Sequence, residues 1–156
     1  MILDRLIQTL VDSENEAADE LLLEALRLGA EHEKMAMLDA LVRRATVHGL
    51  SGVIAMFDAL QQPLQIEVLK QIKAFHSALR ECGRSDDTNL RLSAMKLIAM
   101  GRQGKLAYVL SENMHDADEA LSKGAVEAMV AMARWVSTET RNLQKGQHND
   151  GHPSAA

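Results

Sequence analysis

Four gapless segments of the chain share one apolar stripe, and that recurrence limits what the chain can fold into more than any other feature. They are Met37–Ala45, Val68–His76, Ser93–Gly101 and Ala125–Ala133. One column reads Leu38, Leu69, Ala94 and Val126. The column three positions on reads Leu41, Ile72, Leu97 and Met129, and four further come Ala45, His76, Gly101 and Ala133. Spacings of three and four put these positions on one face of an α-helix. The segments follow one another at 31, 25 and 32 residues (38 to 69, 69 to 94, 94 to 126). A unit of that length cannot bury its apolar face alone and has to stack on its neighbours.

Composition agrees with helices. Hydrophobic residues make up 47% of the 156, but aromatics only 3%, so the apolar content is Leu, Ala, Met, Ile and Val. Leu, Ala and Met favour helix, and the β-favouring aromatics are scarce. The two prolines, Pro63 and Pro153, break few helices. The periodicity predicts eight helices. The first carries Leu3 to Val11, and the second follows a Ser13–Glu16 capping box and ends at Gly29. The third spans about Glu33 to His48 and is closed by Gly49; the fourth spans Ser51 to Leu60. The fifth starts at a first-turn Pro63 and carries Ile66 to Leu79, with a bend before Gly83. The sixth runs from the Arg84–Thr88 linker to Gly101, the seventh from Leu106 to Asn113, and the eighth from about Glu119 to Asn142. Residues 1–143 form the expected helical domain. Residues 144–156 carry too little apolar surface to repay ordering and are expected to be a disordered tail.

The stretch from Asn89 to Ala133 resembles bacterial HEAT repeats. It has an inner helix with an Ala-rich stripe ending at Gly101, a short outer helix with Leu106 and Leu110, a loop with Asp116 and Asp118, and then the next inner helix. A looser match covers Met35 to Phe75. The 25-residue offset and the Gln61-Gln62-Pro63 loop, which lacks the usual Asp, depart from the pattern. The resemblance implies an all-α fold, a short right-handed α-solenoid of about three to four HEAT-like hairpins. It implies a concave inner surface that holds a partner. A tetratricopeptide-like array would need a 34-residue Trp/Gly/Tyr/Pro pattern, which is missing; a non-repetitive bundle stays open.

Charge is segregated along the chain. Residues 1–40 hold ten acids and three bases, whereas residues 70–105 hold eight bases and three acids, within a formal net charge of -5. On inner helices, Lys70, Lys73, Arg91 and Lys96 would form an electrostatic anchor for an acidic or phosphate-bearing protein segment. The overall acidity makes nucleic acid an unlikely partner, although some HEAT-like DNA glycosylases use such a band. Four methionines at helical spacing, Met95, Met100, Met129 and Met132, are expected to fill core, with an adaptable groove as the alternative.

Chemistry has little support. The chain lacks G-x-S-x-G, P-loop, G-x-G-x-x-G and C-x-x-C patterns, so no catalytic residue, cofactor or metal site is assigned. The one His-Glu pair, His32-Glu33, matches a single element of the paired His-Glu ligands in the di-iron HEAT hydroxylase. A lyase-type HEAT protein acting on a partner-bound bilin is resembled only through the repeat. His148 and His152 are expected to be solvated, and His76 to be packed. The single Cys82 excludes an internal disulfide and is expected in the last turn of a helix, which fits a reducing compartment. No apolar run reaches the roughly 18 residues of a membrane span, and Asp4 and Arg5 sit where a signal peptide would be apolar, so the chain is expected in the cytoplasm.

Overall fold

The computed structural model describes residues 2–149, which are all-helical, with no strand among them. Nine α-helices follow one another: α1 (Ile2–Asp12), α2 (Glu16–Leu28), α3 (Glu31–Arg44), α4 (Val47–Met56), α5 (Gln62–Lys70), α6 (His76–Cys82), α7 (Thr88–Met100), α8 (Ala107–Met114) and α9 (Glu119–Asn149). Short 3-10 turns at Phe57–Ala59, Ile72–Phe75 and Gly104–Leu106 join some of them. α9 continues past Leu143 to Asn149, and the rest of the expected tail, residues 150–156 with His152, lies outside the described residues, as does the side chain of His148.

Helices touch both the next helix and the next but one. Contacts link α1 to α3, α2 to α4, α3 to α5, α4 to α6 and α7 to α9, while α2–α3, α6–α7 and α8–α9 pack as consecutive pairs. One continuous apolar cluster runs from Ile7 to Met132, with Leu22, Leu38, Ile54, Phe75, Ile98, Leu110 and Leu121 fully enclosed. The stripe positions Leu38, Leu41, Ile72, Ala94 and Leu97 lie in it, as do Met95 and Met132; in the fourth segment the expected Val126 and Ala133 are exposed and Ala125, Ala128 and Met132 are buried instead, and Met100 is exposed.

Three boundaries differ from the expected ones, each for a local reason. Asn15, not Ser13, caps α2: its Oδ1 accepts the Ala17 amide at 2.9 Å, and the Asn15 amide donates to Ser13 Oγ at 3.2 Å. The third helix ends at Arg44, where Ala45 turns left-handed with φ 54°, and Thr46 then caps α4 by accepting the Gly49 amide. Gly49 therefore lies inside a helix. A Cβ there would stand 2.8 Å from the Asp19 carboxylate and 2.9 Å from the Thr46 hydroxyl, so the glycine makes room for a buried charge. The fifth expected helix is divided: Gln71 leaves helical geometry (φ -102°, ψ 19°), and a 3-10 turn separates α5 from α6. The second recurring segment, Val68–His76, is thus not one continuous helix.

The charge that Gly49 accommodates belongs to an ion pair with its side chains almost wholly enclosed: Arg44 Nε lies 2.7 Å from Asp19 Oδ1, with 2% and 0% side-chain exposure. The same guanidinium donates to the backbone carbonyls of Leu10, Ser13 (2.6 Å) and Asn15 (3.2 Å). It ties the end of α3 to the α1–α2 loop and to α2. Removing one partner strands a charge in the core, which typically costs about 3–5 kcal/mol. Asp19→Ala and Arg44→Ala are each expected to lower stability by that amount in urea unfolding followed by circular dichroism. The double variant is expected to lose clearly less than their sum.

Candidate functional site

The four cations of the expected anchor have different fates. Arg91, in the first turn of α7, is partly buried and used internally: its Nε donates to Asn113 Oδ1 at 3.0 Å and its Nη2 to Asp116 at 2.8 Å. Asn113, only 1% exposed, donates onward to the carbonyls of Gly83 (3.0 Å) and Val109 (2.8 Å). The backbone amide of Asp118 and then the Arg91 guanidinium hold the Asp116 carboxyl below its usual range. This network joins the ends of α6 and α8 to α7. Lys96 pairs with Asp58 at 2.7 Å, both side chains more than half exposed, a contact that contributes little by itself. Lys70 and Lys73 are exposed and make no ion pair among the described residues.

α7 and α9 form a groove beside Lys96. Leu92, Lys96, Ala99 and Met100 recur at helical spacing on one wall, and Gly124, Glu127, Ala128 and Ala131 on the other, enclosing about 420 Å³. The floor is low because the α9 residues are small. At Gly124 the helices are so close that a Cβ would stand 2.8 Å from Leu92 Cδ2. A charge of each sign, Lys96 and Glu127, stands on opposite walls. At Gly101 a Cβ would lie 2.8 Å from Ile72 Cγ1, so the 3-10 turn that holds Lys73 abuts the end of α7, where Met100 lines the groove. Sequence reasoning found the cations but not this groove. Its signal is the run of small residues Gly124, Ala128 and Ala131 on α9, none of which belongs to the expected stripe of Val126, Met129 and Ala133.

The aromatic faces are taken. Arg84 lies 5.7 Å from the Tyr108 ring centroid and Arg102 5.3 Å from that of Trp135, while Phe57 and Phe75 are buried. Arg84 is also held by a two-pronged pair with Glu112. His76 bonds Gln103 at 2.7 Å and is half-buried. His32 stands exposed 3.6 Å from Glu33, and no group of three or more possible metal ligands occurs among the described residues. No helix among them is long and apolar enough to cross a membrane. Cys82 is buried against α4, and burial pushes its thiol pKa up despite a hydrogen bond with Ser51. The chain matches no family model, no curated protein and no solved structure.

Two side chains here give direct readouts. A thiol that is both enclosed and held protonated is a poor nucleophile, so native Cys82 is expected to react with Ellman's reagent only as fast as the protein opens, and promptly in denaturant. His48 bonds Glu20, and that bond raises the imidazole above its ordinary value of 6.5. The stabilisation from this pair is complete below 6.5 and is lost as pH rises through the raised value. An NMR titration is expected to place the His48 midpoint above 6.5 and to return it there in Glu20→Gln.

Proposed function

We propose that this chain is a cytoplasmic protein-interaction module, a short right-handed α-solenoid of four HEAT-like hairpins (α1–α2, α3–α4, α5–α6 and α7–α8) closed by α9. The alternation of contacts supports this reading, because α1–α3–α5 and α7–α9 are linked on one side, with the turn after α5 touching the end of α7, and α2, α4 and α6 on the other. The Asn113 bond to the Gly83 carbonyl extends the second layer to α8. Stacked hairpins leave one helical layer with a continuous outer face, and such faces hold partners.

The observation that carries the function is the open α7–α9 groove. Its lining is mostly apolar with one charge of each sign on the walls, and the exposed Lys73 lies on the turn whose Ile72 touches Gly101 at the end of α7, with Lys70 just before that turn. An apolar cleft with a charged rim suits a protein segment that carries Leu- or Met-type anchors beside acidic or phosphorylated residues. Lys96 is part of this surface through the groove wall. Arg91 supports it indirectly by fixing α7 against α8. Nucleic acid fits poorly, since both exposed aromatics already carry an arginine on one face and no free stacking platform is present among the described residues.

The test is capture by the immobilised chain from an extract of its native host, followed by calorimetric titration of the captured protein. Lys70→Glu with Lys73→Glu is expected to weaken that affinity by about tenfold, or roughly 1.4 kcal/mol, with helicity unchanged. An unchanged affinity would remove the lysines from the interface. A gel-shift assay with DNA at low salt is expected to show no complex.

A further inference from the structure

The opposite end of the molecule carries a second groove, of a different character. Leu3, Leu6 and Leu10 of α1 face Leu21 and Ala25 of α2, with Met37 of α3 beneath, around a volume of about 220 Å³. Every lining side chain is apolar. The edges are far from buried, since Leu6 is 55% and Leu21 59% exposed. Two helix stripes at three- and four-residue spacing form the shape that accepts the apolar face of a third helix.

The surroundings specify that helix. Helices α1 to α3, residues 2–44, carry ten acids against five bases, a net charge of -5, with Asp19, Glu20, Glu24, Glu31 and Asp39 held in ion pairs. Glu24 lies three residues from Leu21 and Glu33 four from Met37, so carboxylates share the helix faces that line the groove. A second copy docked through these same helices would bring the same excess of acids against this one, and an anionic bilayer would be repelled in the same way. We propose that this groove docks an amphipathic helix of a partner protein, with Leu- or Met-type knobs on one face and Lys or Arg along its flanks. The surface is separate from the one that bears Lys70 and Lys73, so either reading can fail without the other.

The probe is a fluorescent synthetic peptide of about four helical turns, with Leu at i, i+3, i+4 and i+7 spacing and Lys elsewhere, titrated with the full chain by anisotropy. Saturable binding is expected that weakens with added salt. Leu6→Ser with Leu21→Ser is expected to lower the affinity at least tenfold, and the Lys70/Lys73 reversal to leave it unchanged. Methyl NMR of the unmodified chain supplies a readout that needs no variant: the Leu3, Leu6 and Leu21 methyls should shift on adding peptide, and those of exposed Leu143 should not. Equal binding of a scrambled peptide or of its Lys→Glu counterpart would overturn the proposal. So would full affinity in the leucine variant, or peptide-free sedimentation as a dimer that this variant disperses.

Discussion

Eight of the nine helices are 14 residues or shorter, and an α-helix of that length is marginal in water by itself. Everything else in the structure answers that constraint. Each short helix has to bury its stripe against neighbours on more than one side, so an i to i+2 contact pattern is the economical solution. Phe75, Leu79, Ile98 and Leu110 have no accessible surface because elements before and after them in the chain close over them. α9 shows the opposite limit. Its first half is anchored through Leu121, Ala125, Ala128 and Met132, and over residues 133–146 its side chains are exposed except for the half-buried Trp135.

Apolar burial fixes which faces meet but sets the axial position of the helices only loosely, and the two arginine networks supply that. Both follow one plan. A guanidinium from one helix enters the polar end of a neighbouring hairpin and bonds several groups there at once: the Leu10, Ser13 and Asn15 carbonyls for Arg44, and Asn113 with Asp116 for Arg91. Buried backbone carbonyls at helix ends need such partners, because leaving them unpaired costs about as much as a lost hydrogen bond. Gly49 belongs to the same device, since a methyl there would collide with the carboxylate on which Arg44 depends.

Much of this was legible in the residues. The helical class, most element positions, the Gly29 and Gly101 ends and the first-turn Pro63 follow from periodicity and capping chemistry. What was not legible depended on distant partners. Gly49 reads as a terminator by local rules, and only Asp19, thirty residues earlier, reveals it as a space-maker. The break at Gln71 carries no proline or glycine, so no local breaker marks it. Arg91 looked like a free cation because the side chains that claim it, Asn113 and Asp116, are more than twenty residues away. The groove between α7 and α9 was hidden for a related reason: the expected stripe on α9 was Val126, Met129 and Ala133, and only the pairing of the two helices shows that Gly124, Ala128 and Ala131 face α7 instead.

Arg91 and Arg44 also change what the charge pattern means. A band of eight bases suggests one broad electrostatic surface, yet Arg91, Arg84, Arg102 and Lys96 are each engaged within the chain, by Asn113 and Asp116, by Glu112, by Trp135 and by Asp58. The bases of that band without a pair among the described residues are Lys70, Lys73, Arg80 and Lys105, all exposed. In the acid-rich first forty residues most carboxylates are also paired, among them Asp19, Glu20, Glu24, Glu31 and Asp39. The two open grooves therefore differ in setting: the α7–α9 groove has one charge of each sign on its walls, and the other lies on helices of net negative charge. Apolar grooves alone discriminate poorly between helical partners, because Leu and Met side chains fit many clefts. The net negative charge of the first three helices is the kind of repulsive element that selectivity needs, since it would act against an acidic helix in the groove they line.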